Sequence, residues 1–348
     1  MAESKRGNES SRDLQLRQVA VSIIQTSLGA THGDHILLVF DRSGQDIADA
    51  FIDAAQDLDQ PVSAVYVPVS IQGAGQNVAV WKTLKDLVQK SSAIITAVSD
   101  GQETTGFRVA LLRMAMDHKL RAVHMPGVGE DVFLASALGV DFTSLHEDTK
   151  RVAAALTAAN EATIQTHSSL TGTTHTLKLV LSGRKAHADG GIASPGETIN
   201  IPTGEAYIAP IEDSADGSIV IDGSFPDADM SGGREVLIVF EKGVLNIDQC
   251  RFPDDGAGFY CRSLLASAIR RNPKVELGEL GVGLNPAVSA VAGRTILDEK
   301  VFGTAHIAVG ANVVFGGRNA EPYHIDLVFH PMEIILDGVG LDVRWRTR

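Results

Sequence analysis

The sequence predicts two domains: an N-terminal α/β domain with a mostly parallel sheet, then an α+β domain with mainly antiparallel strands carrying a metal site. Three observations predict the architecture. The 348 residues exceed what one hydrophobic core usually holds. In the first half, continuous apolar runs alternate with amphipathic helical stretches, as a sheet covered on both faces requires. In the second half, strand signals bounded by tight turns dominate.

Residues 1–14 are polar and read as a disordered tail. LQLRQVAVSIIQTSL then carries apolar side chains at helical spacing. Strand candidates HILLVF, SAVYVPV, SAIITAVS and RAVHMP follow, separated by the helical stretches QDIADAFIDAAQDL, VWKTLKDLVQK and GFRVALLRMAMDH. In the last of these, Phe107, Ala110, Leu111 and Met114 fit one helix face. The rhythm implies right-handed crossovers and an α/β domain over residues 15–165, closed by the helical stretch DTKRVAAALTAANEA. Residues 166–348 form the second domain. Its strand candidates are THTLKLVLSG, EAYIAP, SIVIDGSF, VLIVFEKGVLNIDQCRF, HIAVGAN, HIDLVFH and MEIILDG. Lys242-Gly243 reads as a hairpin turn, and a helix from about Gly258 to Arg271 interrupts the strands.

Composition narrows the function. Lysine plus arginine number 30 against 43 acidic residues, and the formal charge of -13 argues against nucleic acid or an anionic membrane as partner. No apolar run reaches the roughly 18–20 residues of a spanning helix. The opening MAESKRGNESSRDL lacks the apolar middle of a signal peptide, so a cytoplasmic location is expected. Cys250 and Cys261 are the only cysteines, which argues against a disulfide framework or a thiolate zinc site.

The Gly73-Ala74-Gly75 turn follows a strand candidate, but Val78 occupies the third position of a dinucleotide fingerprint, and a structural turn is the better reading. Gly-Xaa-Ser-Xaa-Gly and Walker-type loops are absent. Histidine and carboxylate concentrate instead in the second domain. Glu205 follows the turn Pro202-Thr203-Gly204, which can present it from a strand end. Glu279, beyond Glu276, sits among Leu277, Leu280, Val282 and Leu284. A carboxylate buried there needs a cation, a hydrogen-bond network or a proton, and a lysine or arginine could provide the charge. His306 lies among small and apolar residues. His324 and Asp326, two apart on a strand, share one face, while Ile325, Leu327 and Phe329 take the other.

Singly, these are a solvated turn glutamate, a satisfied core histidine and a hydrogen-bonded dyad. Together, Glu205, Glu279, His306, His324 and Asp326 form a sulfur-free ligand set suited to zinc, cobalt or manganese. If one carboxylate bridges, each of two metals has three protein ligands and open positions for water and substrate. His330 and Tyr323 are pocket candidates for which structural roles are the simpler reading. Arg318, His187 and Asp189 receive no role.

In order along the chain, NIPTGEAYIAP, GELGVGLNP, DEKVFGTAHIAVG and FGGRNAEPYHIDLV resemble the metallopeptidases related to the thermophilic aminopeptidase T, with weaker similarity at MPGVGEDVF. The resemblance covers most of the chain. It implies an α/β domain, a C-terminal metal domain, cytoplasmic location and a homodimer. It also implies two divalent metals on the five residues above, with Glu279 as the bridge, and a peptide or small-molecule substrate. The family tyrosine seven residues after the motif histidine is Val313 here, and the interval from His306 to His324 is short. The chain also resembles the 2,5-dihydroxypyridine 5,6-dioxygenases, which implies Fe(II) as an alternative. Those enzymes place a histidine where this chain has Glu279. The sequence therefore points first to a dinuclear aminopeptidase, then to an iron ring-cleaving dioxygenase, then to a peptide-binding protein without turnover, motivated by Val313.

Overall fold

The computed structural model describes residues 10–72, 78–226, 228 and 230–343, so the Gly73-Ala74-Gly75 turn lies outside the described residues. In chain order the strands begin with β1 (Ile36–Phe40), β2 (Val62–Tyr66), β3 (Ala93–Val98), β4 (Arg121–Pro126), β5 (Glu161–His167) and β6 (Thr174–Val180). Next come β7 (His187–Asp189), β8 (Thr198–Asn200), β9 (Glu205–Ile208), β10 (Asp216–Ile221), β11 (Val236–Glu241) and β12 (Val244–Leu245). The last are β13 (Leu277–Gly283), β14 (Ala305–Gly310), β15 (His324–Phe329), β16 (Glu333–Leu336) and β17 (Val339–Gly340).

The chain divides into two units, and the division is discontinuous. One unit runs to Ser144 and takes back Gly191–Thr203; the other holds Leu145–Gly190 and the chain from Gly204 onward. The sequence alone expects one contiguous boundary at residue 165. β5 pairs with β6 along its whole length, which draws it into the second unit, while β8 pairs with β4 in the first.

The first unit is the expected α/β layer. Its parallel sheet has the order β2-β1-β3-β4-β8. Every residue of β1 and β3 is buried, which is why β1 is an unbroken apolar run and β3 is apolar except for Thr96. The helix Gln45–Asp57 buries Ile47, Ala48, Phe51, Ala54 and Ala55, one stripe at helical spacing. The first helix starts at Ser11, inside the stretch expected to be a tail to residue 14. A capping box explains the early start: the Ser10 hydroxyl accepts from the Asp13 N–H and the Asp13 carboxylate accepts from the Ser10 N–H, each at 3.1 Å.

The second unit contains two antiparallel sheets, ordered β12-β11-β10-β6-β5-β16-β17 and β15-β14-β13-β9-β7. Lys242 and Gly243 both have positive φ between β11 and β12, as the expected hairpin turn requires. The helix Gly256–Arg271 is capped by Asp255, whose carboxylate accepts from the Gly258 N–H at 3.0 Å. Apolar side chains such as Phe225, Phe240, Leu280, Ile307, Leu327 and Phe329 are fully buried in this unit. No helix among the described residues is long and apolar enough to cross a membrane.

Candidate metal centre

All five candidate ligands belong to the second unit, and strand register brings them together. β14 pairs His306 with Gly281 of β13 and Ala308 with Glu279, after a register shift between Leu277 and Glu279. β15 pairs Asp326 with Ala308 and His324 with Gly310. Residues directly paired across antiparallel strands share a face, so Glu279, His306, His324 and Asp326 stand on one side of the sheet. β9 adds Glu205 opposite Gly283 and Tyr207 opposite Gly281, and β7 adds Asp189 and His187 opposite these.

The same face of β13 and β14 carries Gly281, Gly283, Ala308 and Gly310, which leave volume for the functional side chains. At Gly281 the need is strict, because a Cβ there would lie 2.1 Å from atoms of the His306 ring. Gly204 is the second such position. Its φ is +113°, and a Cβ would lie 2.7 Å from Cβ of Asn285, so only glycine suits the turn that leads into Glu205.

Three overlapping groups of residues bring one ligand atom each within 4.8 Å of the others: Glu205–Glu279–His306, Glu279–His324–Asp326 and Glu299–His306–Asp326. Glu279 is common to the first two, the arrangement expected of a bridging carboxylate. His306 Nε2 lies 3.3 Å from Glu279 Oε1 and 3.4 Å from Glu205 Oε2. His324 Nε2 lies 3.1 Å from both Glu279 Oε2 and Asp326 Oδ1. The other nitrogen of His324, Nδ1, donates to the Ala311 carbonyl at 2.8 Å. A hydrogen bond of this kind is how ligating histidines are commonly oriented. Glu205 Oε2, on a residue 7% exposed, has no hydrogen-bond partner among the described residues. The residues therefore fit a divalent ion: nitrogen and carboxylate donors converge, one imidazole is held in ligating orientation, and a buried carboxylate oxygen accepts no hydrogen bond among the described residues.

The lysine that could have answered Glu279 pairs elsewhere. Lys300, 2% exposed, places Nζ 2.5 Å from Glu205 Oε1 and 2.8 Å from Glu299 Oε1. Burial opposes its charge, but Glu205 and Glu299 raise its pKa well above the ordinary value. Glu299 is itself pushed up to about 8 by burial, against the pull of Lys300. Burial also works against ionised Glu279 and against protonated His306 and His324. Against it, hydrogen bonds to the two imidazoles hold the Glu279 carboxyl low, the bond to Glu279 holds His306 high, and the charge of Asp326 holds His324 high. The cluster stabilises positive charge in its middle.

Sequence reasoning missed several members of this face. Glu299 and Lys300 stand in the motif DEKVFGTAHIAVG without a role read from the sequence, and nothing local shows that the lysine meets a glutamate 95 residues away. His187 and Tyr207 stack at 5.4 Å, and Phe315 meets Tyr207 at 5.5 Å and His324 at 5.9 Å edge-on, forming an aromatic wall beside the ligands. Val313 lies in the same short turn as Phe315 and is 52% exposed. Arg318 gains a role: its backbone N–H donates to buried Glu212 at 2.5 Å and its guanidinium lies 3.2 Å from Glu276. His330 pairs with Asp222 at 3.2 Å and joins none of the three groups. Tyr323 packs its ring against Gly310.

No protein-family model matches the chain. No curated protein matches it by sequence. Two solved structures that match share its fold. The 2,5-dihydroxypyridine dioxygenase from Pseudomonas putida KT2440 aligns with 96% of this chain and 96% of its own, at a TM-score of 0.69 and 18% identity. AmpT from Thermus thermophilus aligns with 94% of this chain and 96% of its own, at a TM-score of 0.62 and 14% identity. Both likenesses cover nearly the whole chain, as the motif resemblances led one to expect, and at these identities they are likenesses of fold.

Proposed function

We propose that the chain is a metal-dependent hydrolase acting as an aminopeptidase. The observation that carries this reading is the convergence of Glu205, Glu279, His306, His324 and Asp326 on one sheet face. A divalent ion bound there supplies Lewis acidity and lowers the pKa of a water molecule to the neutral range. The chain's own groups do the rest. Glu279 reaches both His306 and His324, and the Ala311 carbonyl fixes the His324 ring. The wall of His187, Tyr207 and Phe315 offers an apolar surface beside the ligands, against which a substrate side chain can be oriented.

The test is incubation of the zinc-, cobalt- or manganese-loaded protein with a mixed peptide library. Release of N-terminal residues by the wild type, and not by Glu279→Gln, is the expected result. The same aromatic wall favours a second reading, an Fe(II)-dependent dioxygenase acting on a planar ring. Oxygen uptake with a hydroxypyridine and ferrous iron, without peptide release, would replace the first reading by the second. Peptide binding without cleavage by the metal-loaded protein would mark a non-catalytic binding protein.

A further inference from the structure

The geometry points to a centre that takes one divalent ion, held by Glu279, His324 and Asp326, with the Lys300 ammonium occupying the place of a second. This deepens the reading of the cluster as a metal centre and does not depend on which substrate is turned over.

Three observations carry it. First, two of the three possible ligand groups contain a carboxylate already bonded to Lys300: Glu205 in one and Glu299 in another. Glu279–His324–Asp326 is the group that Lys300 does not touch. A dication placed on Glu205 or Glu299 would share that carboxylate with a buried ammonium, and like charges that close in a poorly solvated interior repel strongly. The lysine is anchored at its backbone. Its backbone N–H donates to the Leu297 carbonyl at 3.0 Å, and its carbonyl accepts from the Asn285 N–H at 2.8 Å.

Second, the two histidines differ in support. His324 Nδ1 donates to the Ala311 carbonyl, which aims Nε2 at Glu279 and Asp326. His306 is 1% exposed, and its Nδ1 has no hydrogen-bond partner among the described residues. The orienting bond that ligating histidines commonly make is therefore present at one end of the cluster and missing at the other. Third, the two ends differ in access. Glu205, Glu279 and His306 are all buried, whereas the side chains of His324 and Asp326 are 30% and 20% exposed. An ion at the exposed end can keep positions for water and substrate, as a catalytic site requires.

The distinction is measurable by counting. Zinc-loaded protein, freed of excess metal, is analysed by plasma mass spectrometry and by calorimetric titration with zinc. Wild type is expected to hold about one ion per chain, Lys300→Met about two, and Asp326→Ala none. Glu205→Gln, which keeps the shape of the side chain, is expected to retain the single ion, and it keeps the proposal testable if Lys300→Met does not fold. Two ions in wild type, loss of the ion in Glu205→Gln, or a folded Lys300→Met that still holds one overturns the proposal. No ion in any of the proteins overturns the metal-centre reading and the proposal with it.

Discussion

Gly281→Ala is the most local probe of how the face is built. The added Cβ would sit 2.1 Å from Cε1 and Nε2 of His306 and 2.9 Å from Cδ2. Ordinary contact lies beyond about 3.4 Å, so ring or strand must move by roughly 1 Å or more, an overpacking that typically costs about 1–3 kcal/mol. The ring has little room, being 1% exposed with its own strand paired on both sides. Thermal unfolding is expected to shift down by roughly 2–12 °C, at about 2–4 °C per kcal/mol for a unit of this size. The double variant Gly281→Ala/His306→Ala isolates the cause, because removing the ring removes the clash. In the His306→Ala background, Gly281→Ala should cost less than about 0.5 kcal/mol, and the cycle should return a coupling close to the whole single-variant loss. An undiminished cost in that background would refute the argument, since the penalty would then lie in the backbone of β13.

Two further predictions concern stability away from the ligands. His124 is buried on β4 beside the Thr96 hydroxyl at 2.6 Å, and burial, helped by Arg108, lowers its pKa to about 4. The unfolded chain takes up that proton near pH 6.5, so the contribution is complete above about 6.5 and is lost as pH falls toward about 4, some 3 kcal/mol in all. Urea unfolding of wild type and His124→Asn across that window should converge as pH falls, and parallel pH profiles would contradict the assignment. Glu212, 1% exposed, accepts from Arg184 at 2.6 Å, from the Arg318 N–H at 2.5 Å and from Asn312 at 3.2 Å. Glu212→Ala should cost about 3–5 kcal/mol by stranding buried partners, with faster amide exchange at residues 312–319; unchanged exchange there would show that Glu212 does not hold the turn bearing Phe315.

The elements most legible in the sequence were those whose physics is local. β1 is an unbroken apolar run, and β3 nearly one, because both faces of their sheet are covered, and the Lys242-Gly243 turn announces its own backbone conformation. The clustering of candidate side chains was legible for a related reason, because His324 and Asp326 share a face by period alone and Glu279 stands in an apolar strand where a bare carboxylate is costly. What escaped depends on distant pairing. β8 has three residues, too few to carry a period, and joins the first sheet only through β4. β5 begins just after a long helical stretch, so its first residues read as a continuation of that helix. Lys300 is the sharpest case. A lysine in a charged run is ordinarily solvated, and only the fold sets this one against Glu205.

The central claim, that these side chains surround a bound cation, is tested most directly by anomalous diffraction from crystals of the zinc-loaded protein, recorded on both sides of the zinc edge. The expected result is a difference peak within about 2.0–2.2 Å of Glu279, His324 and Asp326 donor atoms. A map with no peak at Glu279, or with zinc bound only on other surface groups, would contradict the account.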